Sequence, residues 1–170
     1  WVEIHSGTSG TSASKNASTG IVGQASDNLD VSSLTDAFIT RAFTFSGTKP
    51  PLQNGSTYYI VVYADFAASP SAFVLIGFVS TAPSYIEGKY YEVNEGMAWS
   101  GNDNVDLIFE VNGAPGDLEL IDKAGSEETG ASNVLRNSTA RVILAQTFKP
   151  GKGVDVYKVL LSLSKVGAPS

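Results

Sequence analysis

Residues 1–5 (WVEIH) alternate strictly, with Val2 and Ile4 on one side and Trp1, Glu3 and His5 on the other. This is the period-two signature of a half-buried strand. A strand-like pattern returns at 37–46 (AFITRAFTFS), with Ile39, Phe43 and Phe45 facing inward, and at 88–93 (GKYYEV). It returns again at 105–111, where Val105, Leu107, Phe109 and Val111 face inward while Asp106 and Glu110 face out. The runs at 57–66 (TYYIVVYADF) and 72–79 (AFVLIGFV) are apolar on both faces. They are too short for membrane-spanning helices and too rich in β-branched and aromatic residues for buried ones, so they predict central strands.

Between these runs the sequence reads as connection. Residues 6–20 and 49–56 are loops by their Gly, Ser, Thr, Asn and Pro, 21–25 is a short strand, and 27–36 holds turn formers with at most one helical turn. Residues 112–140 are polar, rich in Gly and Ser and weakly patterned, with DLELI at 117–121 the most that adds a strand. Two strong strands follow, 141–148 (RVILAQTF) and 154–166 (VDVYKVLLSLSKV), joined by the turn KPGKG. In the second, Tyr157, Val159, Leu161 and Leu163 share a face. The layout is a β block over 1–113, a polar linker over 114–140 and a two-stranded segment over 141–170. Without a helix of ordinary length, the fold class is all-β, an antiparallel β-sandwich or jelly roll.

Composition narrows the function. With 42% hydrophobic and 16% charged residues in 170, the chain is a packed globular protein. A net charge of −6 argues against nucleic acid and anionic membrane surfaces as partners. The lack of Cys excludes thiol catalysis, thiolate metal sites and disulfide staples. The sequence begins at Trp1 with no initiator Met or signal peptide, an abrupt start that leads us to expect a segment upstream.

Two motifs carry a resemblance. PLQNGSTYYIVVYADF supplies Leu52, Gly55, Tyr58, Ile60 and Val61; MAWSGNDNVDLIFEVNG supplies Trp99, Asp106, Leu107, Phe109, Val111 and Gly113. Together they resemble secreted jelly-roll modules that occur, often in tandem, in large extracellular prokaryotic proteins. The resemblance covers most of 1–113. A third motif, Ala145, Gln146, Phe148, Pro150 and Gly151 followed by Lys158 to Ser170, is similar to the opening of such a module but stands at the far end of this chain. The order is therefore permuted, and three arrangements explain it. The last strands fold back into their own sandwich, or complete a neighbour's, or the chain is one period of a tandem array.

Candidate chemistry is sparse. His5 is the one histidine, placed by alternation on an outer face, and no elbow motif supports a Ser–His–Asp triad. Asp65, Asp103, Asp106 and Glu110 are the carboxylates available for glycoside hydrolysis, and strand-edge solubility explains them equally well. SGNDNVD at 100–106 offers oxygens to calcium but reads first as an Asn/Asp turn. Tyr85, Tyr90, Tyr91 and Trp99 form either a sugar platform or core, while Trp1 points away from the buried face. Asn16, Asn54 and Asn137 are N-glycosylation sequons in loop-like sequence.

The sequence leads us to expect a non-catalytic structural subunit of a secreted, extracellular or cell-surface filament or repeat fibre, without cofactor or metal. Its partners would be copies of itself, with glycans possible. Its sandwich would be completed by strand exchange, through Val142, Leu144, Phe148, Tyr157, Val159, Leu161 and Leu163. The alternative is a carbohydrate-binding or adhesive module of a larger secreted protein.

Overall fold

A computed structural model of the chain describes residues 1–7, 20–65, 69, 71–79, 88–94, 100–113, 119–124, 132–136 and 142–169. The alternating stretches become strands: β1 (Val2–Ser6), β2 (Ile39–Thr44), β3 (Pro51–Leu52), β4 (Tyr58–Val62), β5 (Phe73–Val79), β6 (Tyr90–Asn94), β7 (Ser100–Asn102), β8 (Asp106–Leu107), β9 (Phe109–Gly113), β10 (Glu119–Ala124), β11 (Ser132–Arg136), β12 (Val142–Phe148) and β13 (Val154–Val166). Every pairing among them is antiparallel. Among the described residues, one sheet runs β1-β4-β12-β6-β7. The other runs β10-β9-β13-β5-β11, with β2 and β3 also pairing β13 and β8 pairing β5.

The two sheets pack face to face as a β-sandwich. Val2, Ile4, Ile60, Val62, Leu144 and Phe148 from the first meet Phe43, Val74, Ile76, Phe109, Val111, Val159, Leu161 and Leu163 from the second in one core. Each such side chain contributes about 1.5–3 kcal/mol on leaving water. The expected helical turn is a single 3-10 turn at Val31–Ser33, capped by Asp30, whose carboxylate accepts from Ser32 N at 2.8 Å.

The last two strands correct the expectation most. The segment 141–166 was expected to pair outside its own block; instead both strands pair with residues of that block. β12 lies between β4 and β6, and β13 has β2 along one side and β9, then β5, along the other. Nor do they form a hairpin, because KPGKG carries the chain from one sheet to the other. The physical reason is burial. Strand β13 buries Val156, Val159 and the run Leu161–Ser164, and leaving the sandwich would strand that apolar face in water.

Other differences are local. The polar segment 114–140 carries β10, which pairs with β9, and β11, which pairs with β5, rather than linker alone. Run 105–111 divides at Ile108, whose N–H bonds Gly77 O at 3.1 Å. The 49–56 loop contributes β3, and the Asn/Asp stretch contributes β7. Residues 21–25 make one bridge, Ile21 to His5, and no ladder. The N–H groups of Val22, Gln24 and Ser26 turn in succession to Ile4, Thr48 and Val2, and Gly23, at φ +75°, lies against the backbone of Pro50.

Candidate functional site

The assembly residues named from sequence mark an internal seam. Leu144, Phe148, Val159, Leu161 and Leu163 are all buried in the core of their own chain. Val142 opens β12 opposite Asn94. Tyr157 is the exception. An extra residue between Val156 and Lys158 shifts the register of β13 against β9, so Val156 takes the interior position. Tyr157 is half-exposed, with the Lys49 ammonium 4.9 Å from its ring centre.

The seam joins the motifs that are far apart in sequence. Gln146 is fully buried; its Oε1 accepts from Leu107 N at 3.0 Å and its Nε2 donates to Asp106 Oδ1 at 3.1 Å. Asp106, expected to face out, is buried for this reason. Phe148 packs on Tyr58 and Phe109 at ring distances of 5.9 and 6.2 Å.

A cleft of about 300 Å³ opens at one end of the sandwich. Its floor is Phe43, Val62, Val74 and Leu163, one wall is Leu29, Val31 and Leu34, and Asn28, Asp30 and Asp65 add polar groups. Trp1 and Tyr63 border it from the outer face of the first sheet, rings stacked with centres 5.2 Å apart and planes 9° from parallel. Their backbones exchange both hydrogen bonds, Tyr63 N to Trp1 O at 2.9 Å and Trp1 N to Tyr63 O at 3.2 Å.

Glu3 holds that pair. One carboxylate oxygen accepts from the Trp1 indole Nε1 at 3.0 Å, and the other lies 2.8 Å from His5 Nε2. Burial alone would raise the Glu3 carboxyl, but the contacts with His5 and Trp1 outweigh it and hold it below its ordinary value. Burial, reinforced by the Glu3 charge, pushes the Tyr63 phenol far up. His5, read as a surface residue, is buried beside Glu3, since residues 20–26 run along the free edge of β1 and cover it.

The remaining candidates are dispersed. Asp65 is exposed at the cleft, Asp103 pairs with Lys89 at 2.9 Å, and Glu110 accepts from Asn112 Nδ2 at 3.0 Å. The calcium-like stretch is an Asx turn in which Asn104 N donates to Asn102 Oδ1 at 2.9 Å. Among the described residues no three His, Asp or Glu side chains gather as a metal site requires. Tyr90 is core, and Tyr91 lies 5.9 Å from Tyr59 on the outer face of the first sheet. Asn54 is exposed. Tyr85, Trp99, Asn16 and Asn137 lie outside the described residues. Sequence reasoning missed Tyr63 as Trp1's partner; the clue is that its neighbours Tyr59 and Val61 share its outward face.

No protein-family model, curated protein or solved structure matches the chain. The fold and its sites rest on the chain's own geometry, which is that of an antiparallel β-sandwich.

Proposed function

We propose that this chain is a structural module of an extracellular repeat fibre, whose sandwich is completed by its own last two strands. The observation that carries the reading is the interior position of β12, between β4 and β6, and of β13, with β2 on one side and β9 and β5 on the other. A module held this way cannot lose its final segment one strand at a time, which suits a part that transmits load. The seam side chains thus serve cohesion within the module, in place of donation to a neighbour.

Leu163, near the end of β13, and Trp1, at the head of β1, line the same cleft. The permuted order is therefore compatible with an array in which each module passes the chain on at that pole. Partners are further copies of the module, and the exposed sequon at Asn54 suits a glycosylated surface. Immunogold labelling of native material with an antibody to the folded chain tests the reading. Regularly spaced label along extracellular fibres is expected. Label confined to the cell interior, or to isolated particles, would contradict it.

A further inference from the structure

We propose that Asn54, in the turn between β3 and β4, is a site of spontaneous covalent modification, where attack by the Gly55 main-chain nitrogen expels the side-chain amide as ammonia. The sequence holds two Asn-Gly steps, Asn54–Gly55 and Asn112–Gly113. A following glycine makes an asparagine prone to this reaction, because no side chain shields the attacking nitrogen. The structure separates the two steps. Asn54 and Gly55 are the exposed centre of a turn closed by Ser56 N to Gln53 O at 3.2 Å, with Gly55 at φ +74°. Asn112 is buried in β9, its Nδ2 donates to Glu110 Oε1 at 3.0 Å, and its strand is paired by β10 on one side and β13 on the other. Ring closure requires the main chain to rotate locally, which a turn allows and a ladder paired on both sides allows only by breaking its own bonds.

The reaction is a hydrolysis in two steps. Gly55 N gives up its proton to solvent base and bonds to Asn54 Cγ; the Cγ–Nδ2 bond breaks and ammonia leaves, closing a five-membered succinimide. Water then opens the ring at either carbonyl, leaving aspartate or isoaspartate and one new negative charge. No oxidant or cofactor enters. The proton lost in the first step is the one that Gly55 N donates to Pro150 O at 3.0 Å. That bond must open before the nitrogen attacks, so the KPGKG connection between the sheets restrains the chemistry of the turn. The restraint amounts to a rate difference of about fivefold, the equivalent of one net hydrogen bond of about 1 kcal/mol. A glycan on Asn54 would occupy Nδ2, the atom that leaves, so the sequon and this reaction compete for one nitrogen. Every atom involved belongs to one chain, so the inference holds whether or not the module sits in a fibre.

The test is a time course of the unglycosylated chain in mildly alkaline buffer, folded or unfolded in urea, read by peptide mass mapping. A gain of one dalton, with separable aspartate and isoaspartate products, marks reaction at each step. We expect the Asn54 peptide of the folded chain to convert while its Asn112 peptide does not. In urea both should convert, and Asn54 should react at least about fivefold faster than in the folded chain. Asn54→Gln, which closes only a less favourable six-membered ring, should keep the mass of that peptide unchanged. The position is exposed, so this variant keeps the fold. Conversion of Asn112 as fast as Asn54 in the folded chain, no conversion of either there, or equal Asn54 rates in folded and unfolded chains would overturn the proposal.

Discussion

Gln146 and Asp106 are hydrogen-bonded inside the sandwich, Nε2 to Oδ1 at 3.1 Å, although forty residues separate them. Gln146 belongs to the last segment and Asp106 to the β block, so this bond, with that from Leu107 N, ties the two together with directional groups. A buried polar group left unmatched costs about 1–3 kcal/mol. Gln146→Leu keeps the volume but removes the partner of both groups. Urea unfolding should show a loss of at least that size, and a loss under 0.5 kcal/mol, on the order of a surface change, would mean the bonds are dispensable.

Along β13, burial should sort the effects of truncation. Leu161 is almost fully buried in the core, and Leu161→Ala should cost about 2–5 kcal/mol. Tyr157→Ser, at the bulge and half-exposed, should cost about 1 kcal/mol or less. Equal losses would show that the register shift between Val156 and Lys158 is misplaced.

That bulge also marks where the sequence stopped being legible. Period-two alternation read backwards from Leu163 through Leu161 and Val159 puts Tyr157 inside. A single extra residue moves Val156 there instead, and nothing in the letters announces it. The strands themselves were readable because their apolar runs are long: β4, β5, β12 and β13 all lie where expected, and the sandwich follows. Partners were not readable. Pattern places Leu161 on an inward face but cannot say whose interior it fills, so in-chain closure and exchange look identical. Among site residues, Trp1 stood out by facing away from the core. Tyr63 and Glu3 gained meaning only when β1 and β4 paired in register.

Acid should weaken the Glu3 contacts. The Glu3 carboxyl is held below its ordinary value of 4.5 in the folded chain. Its contribution is therefore full above that value and is lost as pH falls through the lower, folded one. Thermal unfolding followed from pH 6 downward should show the parent losing more stability than Glu3→Gln, which has no charge to lose. Parallel curves for the two proteins would remove Glu3 from the account.

Gly167, in the motif that closes the chain, has a φ of +67° and lies against the backbone of Ser71 and Ala72. A side chain there meets both the left-handed strain of about 1–2 kcal/mol and Ser71 O. Gly167→Ala should lower stability by more than 1 kcal/mol in urea, whereas Gly151→Ala, whose added carbon meets nothing within 4 Å, should not. An unchanged midpoint for Gly167→Ala would place the end of β13 differently.

Closure of the sandwich by its own chain is tested most directly by a covalent link between β13 and β2. Thr40 and Ser162 are paired partners across these strands, and the chain has no cysteine of its own. The Thr40→Cys/Ser162→Cys protein, folded, oxidised and run on a non-reducing denaturing gel, should migrate as a monomer of 17.8 kDa with a faster, internally linked band. A ladder of disulfide-linked dimers and higher multiples would contradict the account, because it would put β13 in a neighbour's sheet.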